Sequence, residues 1–418
     1  MILKKTFTFL DYSFDKKSLI ATFSYLGPNK TKFTEQISFL TASKNYNEDV
    51  LDKALFLAFI TIGTSYYKCL PTPNVSLKNH KIDSFQAKFF NHIYQEGLSQ
   101  YAFENNLTRR NLAHFKPTAK SSSSAEPYSG SGVLALQSGG KDSLLVATLL
   151  EEKSIPFTPW YISANGSHPT ILDSFESKLV TTNRSIDLEN LKSAKYNGHV
   201  PVTYINQSLA LIQAILLNKS TTLVSIGQEG NEPHAIIGDL KVNHQWSKTW
   251  EAEQLFSTYV EKYISPNIKI GSPLRKFSEL KIAQLFAQKC WKTYKNKFSS
   301  CNVANYRQSL DSKQLTWCGE CAKCANSFLL FAPFLSKKDL TSVFNGKDLF
   351  EDKNLTNTFK GLLGIDGHTK PFECVGETAE LRKAYNLRQP GYADLPFTVP
   401  DSNFDLDKLY PSQDLISL

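Results

Sequence analysis

The run Val133-Leu134-Ala135-Leu136-Gln137-Ser138-Gly139-Gly140-Lys141-Asp142-Ser143, continued by Leu144-Leu145-Val146-Ala147, constrains the fold of this chain more than any other stretch. A short apolar segment stops at a glycine pair, and a helical pattern opens at once. Apolar runs of this length bounded by glycine read as strands buried on both faces, as in a parallel sheet. Ser138, Gly139 and Gly140 let the backbone turn tightly, so successive N–H groups converge at a helix N-terminus. Such a concavity binds phosphate oxygens through unpaired N–H groups and the helix dipole, and Lys141 adds a mobile positive charge. The loop is not a Walker A motif, which needs Gly at 135 and Ser or Thr at 142; this chain has Ala135 and Asp142. An ordinary glycine-rich strand-to-helix turn is the alternative.

Ser-Gly-Gly-Lys-Asp-Ser resembles the PP-loop of ATP pyrophosphatases, which cut ATP between its α- and β-phosphates, transfer AMP to a substrate oxygen and release pyrophosphate. The resemblance implies that Ser138, Gly139, Gly140, Lys141 and Ser143 hold the pyrophosphate, while Asp142 positions the nucleotide or its magnesium. Further along, 156–162, 179–182 and 222–226 read as strands and 206–218 as a helix. Alternation at this spacing predicts an α/β fold with a doubly wound parallel sheet, of the PP-loop ATP pyrophosphatase (HUP-like) type by resemblance. Ligands of such sheets sit beyond the strand C-termini, which singles out the loops 138–143, 163–169 and 227–234.

Upstream, residues 1–40 alternate apolar and polar like a β-meander, with turns at Asp15-Lys16-Lys17 and Gly27-Pro28-Asn29. Helical periodicity follows from Asn47 to Lys68 and from Asp83 to Gly97. Residues 1–118 are therefore expected to form an α+β N-terminal domain with no visible chemistry, and the Ser- and Pro-rich stretch 119–132 a linker. The nucleotide-binding domain is placed at 133–300, with later helices at 246–263, 278–289 and 325–335. A four-cysteine subdomain at 301–335 and an irregular C-terminal segment at 336–418 complete the reading, the tail after Gln389 wrapping or loosely ordered.

Composition narrows the class. The chain has 418 residues, 41% hydrophobic and 21% charged, enough for two or three domains, and no apolar run long enough to span a membrane. Met1-Ile2-Leu3-Lys4-Lys5 continues into a strand-like pattern rather than a signal peptide core, so a cytoplasmic location is expected. The net charge of +8 comes from dispersed lysines, without a block of five like charges. An anionic small substrate explains it, and no nucleic acid or membrane partner is expected.

Cys318, Cys321 and Cys324 follow a Cys-x-x-Cys-x-x-Cys spacing, with Cys301 upstream. Four thiolates suit a closed structural zinc site; an iron–sulfur cluster or unligated buried thiols are the alternatives. The arrangement is similar to the zinc site of the queuosine-precursor branch of PP-loop enzymes. Asn197-Gly198-His199-Val200-Pro201 is similar to a Gly-His-x-Pro stretch near the nucleotide in that branch, so His199 either touches the ligand or satisfies local backbone. Gly227-Gln228-Glu229-Gly230-Asn231-Glu232-Pro233-His234 lies past a strand end, where Glu229 suits magnesium or substrate; a polar turn is the alternative. Asp239 to Lys248 gathers His244, Gln245, Trp246 and Lys248 before a helix, a setting for a carboxylate-bearing substrate. Cys374, in Lys370-Pro371-Phe372-Glu373-Cys374-Val375-Gly376-Glu377, lies outside the cysteine cluster as an acid/base thiol, a nucleophile or a small buried residue.

Together these stretches, across about residues 1–385, resemble the ATP-dependent epimerases of UDP-N-acetylmuramoyl-L-alanyl-L-glutamate. The resemblance implies conversion of the terminal L-glutamate to D-glutamate through an acyl-adenylate, with ATP and magnesium required. Adenylation removes the carboxylate charge and makes the carbonyl an electron sink, after which an acid/base pair can invert the α-carbon. His244, Lys248 and Cys374 are the candidates for that pair. Another PP-loop ligase, acting on a queuosine precursor or on tRNA, and a zinc-stabilised nucleotide-binding module are the competing readings.

Overall fold

A computed structural model describes residues 5–121, 125–192, 194–307 and 314–416. The meander forms as its alternation predicts: β1 (Phe7–Asp15), β2 (Ile20–Leu26) and β3 (Lys32–Phe39) pair antiparallel and point Phe7, Phe9, Phe23 and Ile37 inward. Helix α1 (Glu48–Tyr67) starts where Asn47 accepts the Val50 N–H, and its largely buried length lies under the meander. The short β4 (Val75–Leu77) adds a parallel edge to β1. Asp83 closes a capping box on α2 (Ser84–Gln95), and α3 (Ser99–Glu104) follows after a tight bend.

The second half of the sheet begins with β5 (Val133–Leu136), which runs through the glycine pair into α4 (Lys141–Glu152). Then come β6 (Phe157–Ser163), β7 (Val180–Ser185), the short α5 (Leu188–Lys192), α6 (Val202–Leu216) and β8 (Thr221–Leu223). A hairpin of β9 (Ala235–Ile237) and β10 (Leu240–Val242) precedes α7 (Trp250–Tyr263), β11 (Lys269–Gly271) and α8 (Glu279–Lys289).

Among the described residues the main sheet has nine strands in the order β11-β8-β5-β6-β7-β3-β2-β1-β4. The segment β11 to β7 is parallel, as expected, but β3 pairs antiparallel with β7, so the meander extends the same sheet and makes it mixed. At that seam Arg184 of β7 pairs with the fully buried Glu35 of β3 at 2.6 Å, and the Tyr66 hydroxyl donates to Glu35 at 2.6 Å. Helices cover both faces. Leu134 packs into one core with α1, α2, α6 and α7; its neighbours Val133 and Ala135 pack into the other with α4 and α8.

The chain lays β6 and β7 on one side of β5, then crosses to place β8 on the other. This reversal of strand order makes the C-terminal ends of β5 and β8 the crevice where open α/β sheets bind ligands.

Beyond α8 lie α9 (Trp291–Tyr294), the cysteine-rich loop, α10 (Ala322–Phe331), α11 (Lys337–Ser342), α12 (Thr356–Leu363) and α13 (Thr378–Asn386). The region after 336 is thus more helical than its pattern implies, because two-turn helices hold too few apolar positions to show a period. The tail wraps back: the Tyr410 N–H donates to the Lys276 carbonyl at 3.1 Å, and Gln413 Nε2 to Glu253 at 3.0 Å. Among the described residues no helix is long and apolar enough to cross a membrane.

Candidate active site

The loop after β5 sits at the strand-order reversal. Gly139 adopts φ +75°, and a Cβ there would lie 2.5 Å from Leu315 Cδ1, so glycine is required for conformation and for space. Gly140 is the N-cap of α4 and brings no capping side chain, which leaves first-turn N–H groups for a ligand. The serine hydroxyls brace the loop: Ser143 Oγ donates to the Gly140 carbonyl at 3.1 Å and lies 3.3 Å from Ser138 Oγ. Ser138, Gly140, Asp142 and Ser143 line a cavity of about 570 Å³, closed by the ends of β6 and β8, by Ser299 and Ser300, and by Lys323. Lys141 is not a free phosphate-seeking cation in this arrangement. It is buried, with Nζ 2.5 Å from Asp142 Oδ1 and 2.8 Å from Glu279 Oε2.

A second cavity, also about 570 Å³, is lined by Gln100, Glu104, His199, His244, Lys248, Glu373 and Cys374. The two share a wall made of Val202, Thr203 and Asn206 from the first turns of α6, together with Lys248 and Asn302. His199, His244, Lys248 and Cys374, far apart in sequence, thus face one space.

Three of the segments singled out in the sequence interlock to build it. Gly230, at φ +80°, lets the 229–234 loop approach the Gln245 carbonyl, and its own carbonyl accepts from Asn243 Nδ2 at 2.6 Å. Gln245 Nε2 donates to the Val375 carbonyl at 2.9 Å, and Glu232 pairs with Lys370 at 3.0 Å. Fully buried Arg275 gives Nη1 to the carbonyls of Gly227 and Lys248 at 2.6 and 2.8 Å, and pairs with Glu253 at 2.8 Å.

Electrostatics divide the site in two. On one side His244 lies 4.3 Å, ring to ring, from His199 and 6.3 Å from His234. Burial and this mutual proximity drive His199 down to about 3, and burial takes His234 and His244 to about 4, so all three imidazoles are neutral at pH 7. On the other side buried Glu229 has Oε2 3.2 Å from Lys248 Nζ, and both stand near Asp142, Glu279 and Lys141. Burial opposes the charge of Lys248, but Cys374, Glu229, Glu279 and Asp142 together hold it above its ordinary value. The carboxylates of Asp142, Glu229 and Glu279 gather here with the ammonium groups of Lys141 and Lys248, with Lys323 also close to Glu279, and burial pushes Glu229 up to about 7. Glu279 Oε1, in the same cluster, is a buried carboxylate oxygen without a hydrogen-bond partner.

The cysteines converge as their spacing implies. The sulfurs of Cys301, Cys318, Cys321 and Cys324 lie within 4.8 Å of one another, with close pairs at 3.5 to 3.7 Å. A tetrahedron of thiolates about 2.3 Å from zinc has edges near 3.8 Å, so the four residues fit a metal such as zinc. The N–H groups of Ala304, Gly319 and Glu320 point at three of these sulfurs, each at 3.4 Å, as suits thiolates. Both arms of the cluster also reach the cavities. Asn302, beside Cys301, donates to Glu373 at 3.2 Å; Lys323, between Cys321 and Cys324, donates to the Cys374 carbonyl at 3.1 Å.

Glu279, Asn302, Lys323, Gln100 and Glu104 are site residues that sequence reasoning missed. Asn302 and Lys323 had a signal in their neighbouring ligand cysteines. Glu279 had only a helix-start serine before it, and α3 had none.

Comparison with known proteins finds two family matches. Residues 3–272 match the family described as the MurL N-terminal domain, and residues 297–395 the MurL C-terminal domain. A protein of Xanthomonas oryzae pv. oryzae named UDP-N-acetyl-alpha-D-muramoyl-L-alanyl-L-glutamate epimerase is 31% identical over 91% of this chain and 84% of its own length. Proteins of the same name from Salinispora tropica and a Micromonospora species are 33% and 32% identical over 93% of this chain, covering 86% and 88% of their lengths. With matches extending from the meander through the wrapped C-terminal helices, the chain belongs to the MurL family.

Proposed function

We propose that this chain epimerises the terminal L-glutamate of UDP-N-acetylmuramoyl-L-alanyl-L-glutamate in peptidoglycan precursor synthesis, using ATP to adenylate the substrate. The observation that carries the reading is the pair of cavities with Lys248 and Asn302 in their common wall. The first cavity, with the 138–143 loop at the strand-order reversal, suits a nucleotide and supports a PP-loop type of ATP site. Ser138, Gly140 and Ser143 would face the departing pyrophosphate. The carboxylates of Asp142, Glu229 and Glu279, the last with an oxygen that has no hydrogen-bond partner among the described residues, suit magnesium, which when bound would offset phosphate charge. The cysteine cluster would hold structural zinc.

In this mechanism a carboxylate oxygen of the glutamate attacks the α-phosphorus of ATP and pyrophosphate leaves. The mixed anhydride no longer carries the carboxylate charge, so its α-proton can be removed with the electron pair passing onto the acyl oxygen. Lys248 remains an ammonium and so stabilises that negative charge rather than acting as a base. Neutral His244 is suited to take the proton, and Cys374 to return one. Water then cleaves the acyl–phosphate bond, giving AMP and the free carboxylate.

Incubating the L-alanyl-L-glutamate precursor with ATP and magnesium in deuterated water tests this. The expected products are AMP, pyrophosphate and precursor carrying α-deuterium, half or more of it as the D-glutamyl epimer once equilibrium is reached. Absence of both AMP release and α-deuterium would end the epimerase reading.

A further inference from the structure

We infer that Gln100 and Glu104 of α3 are positioning residues that fix His244 as its Nδ1–H tautomer and leave Nε2 with the free electron pair. His244 Nδ1 lies 2.6 Å from Gln100 Oε1, and Gln100 Nε2 donates to Glu104 Oε1 at 2.6 Å. The direction of this chain follows from donor and acceptor capacity. An ionised carboxylate only accepts, so the Gln100 amide nitrogen must face Glu104. Gln100 Oε1, which also only accepts, then faces the imidazole, and Nδ1 must carry the proton. His244 lines the second cavity, and the hydrogen bond that fixes its ring is made through Nδ1. Gln100 is itself buried. The inference rests on the acid/base reading of His244. In that reading Nε2 takes the α-proton: the C–H bond breaks, the N–H bond forms, and the electron pair moves onto the acyl oxygen. The imidazolium so formed keeps its Nδ1–H on the Gln100 carbonyl, whose dipole is oriented by Glu104.

α3 belongs to the part of the chain whose sequence shows no chemistry. A further contact of this helix supports the same role: Ser99 Oγ accepts the Asn243 N–H at 3.0 Å, next to His244. The helix therefore holds both the backbone and the ring of the catalytic segment.

Nitrogen-15 NMR of the full enzyme labelled at histidine, with His244 assigned by comparison with His244→Gln, tests the tautomer without substrate. At pH 7 the expected spectrum has a protonated, pyrrole-type Nδ1 and a pyridine-type Nε2. Gln100→Leu should mix the tautomers and lower kcat about ten- to a hundredfold with little change in KM for the precursor. The exchange Gln100→Glu with Glu104→Gln, which keeps an acceptor on Nδ1 and a donor between the two side chains, should restore the Nδ1–H signature. A wild-type ring protonated at Nε2, or an unchanged tautomer in Gln100→Leu, overturns the inference, and the wild-type spectrum decides even if that variant does not fold. If the tautomer is as inferred but His244→Gln still exchanges the α-proton, the base role of His244 fails while the tautomer assignment stands.

Discussion

Lys248 touches both cavities and pairs with the buried Glu229, so its removal has two separable consequences. Lys248→Met takes away the cation proposed to face the acyl oxygen, and it strands Glu229 as an unpaired buried carboxyl. Losing one partner of a buried pair costs about 2–4 kcal/mol once the partial exposure of Lys248 is allowed for. The variant should therefore melt several degrees lower and lose activity. Adding Glu229→Gln to it should recover most of the melting temperature and none of the activity. Thermal melts of the single and double variants, alongside AMP release, check this; recovery of both would show that Lys248 serves stability alone. Glu380 makes a cleaner case for pH. It is buried, accepts the Leu280 and Glu377 N–H groups at 3.0 Å each, and is pushed up to about 8 by burial and by the nearby Glu279. Between its ordinary value of 4.5 and about 8, the folded protein holds a proton that the unfolded chain has released. Stability from this group is therefore lost as pH rises through that window. Glu380→Gln removes the proton linkage, so its melting temperature should gain on wild type by a few degrees between pH 6 and pH 9. Parallel melting curves across that range would contradict the assignment.

At the scale of elements, the cysteine loop does more than close a fold end. Its four sulfurs set the path of the backbone that carries Asn302 and Lys323, and those two side chains hold the Glu373-Cys374 segment against the cavities. Asn326, in the helix that begins after Cys321, also accepts the Gly376 N–H at 2.9 Å. Treatment with a chelator, or replacing Cys324 by Ser, should release about one equivalent of the proposed zinc and lower the melting temperature. It should also abolish epimerisation, although no cysteine of the cluster reaches substrate. Metal analysis, melting and activity measured on the same sample check the linkage; full activity in a metal-free, folded protein would break it. The loop and the cluster were legible in the sequence because each is a local pattern, with glycines or cysteines at fixed short offsets. The contribution of α3 was not legible. Gln100 and Glu104 are ordinary helix-surface residues until the chain places them beside His244, and no local periodicity encodes that meeting. The antiparallel seam between β3 and β7 was hidden for the same reason: alternation announces a strand but not its partner. The buried pairing of Lys141 was hidden too, since its partner Glu279 lies in a helix with no motif around it.

For the molecule as a whole, one mixed sheet joins what reads in sequence as separate regions, and in the proposed mechanism its two cavities take one half-reaction each. The cavity proposed for the nucleotide is built by the ends of β5, β6 and β8; the second is built by α3, the 243–248 segment and the 372–374 loop. Only the shared wall belongs to both. It follows that substitutions should sort by cavity rather than by distance along the chain. Ser143→Ala and Asp142→Asn change groups that line the nucleotide cavity alone and should depress AMP formation and α-deuterium uptake together, because proton removal needs the acyl-adenylate first. His244→Gln and Cys374→Ala change groups that line the second cavity alone. They should leave substrate-dependent exchange of labelled pyrophosphate into ATP within about threefold of wild type while lowering α-deuterium uptake at least a hundredfold. Because each partner serves one face of the α-carbon, the loss is greatest from the L-epimer in His244→Gln and from the D-epimer in Cys374→Ala. Measuring pyrophosphate exchange and deuterium uptake from both epimers for these four variants discriminates the outcomes. If His244→Gln and Cys374→Ala lose pyrophosphate exchange as fully as Ser143→Ala does, the division of labour between the cavities is wrong, and the second cavity must take part in adenylation itself.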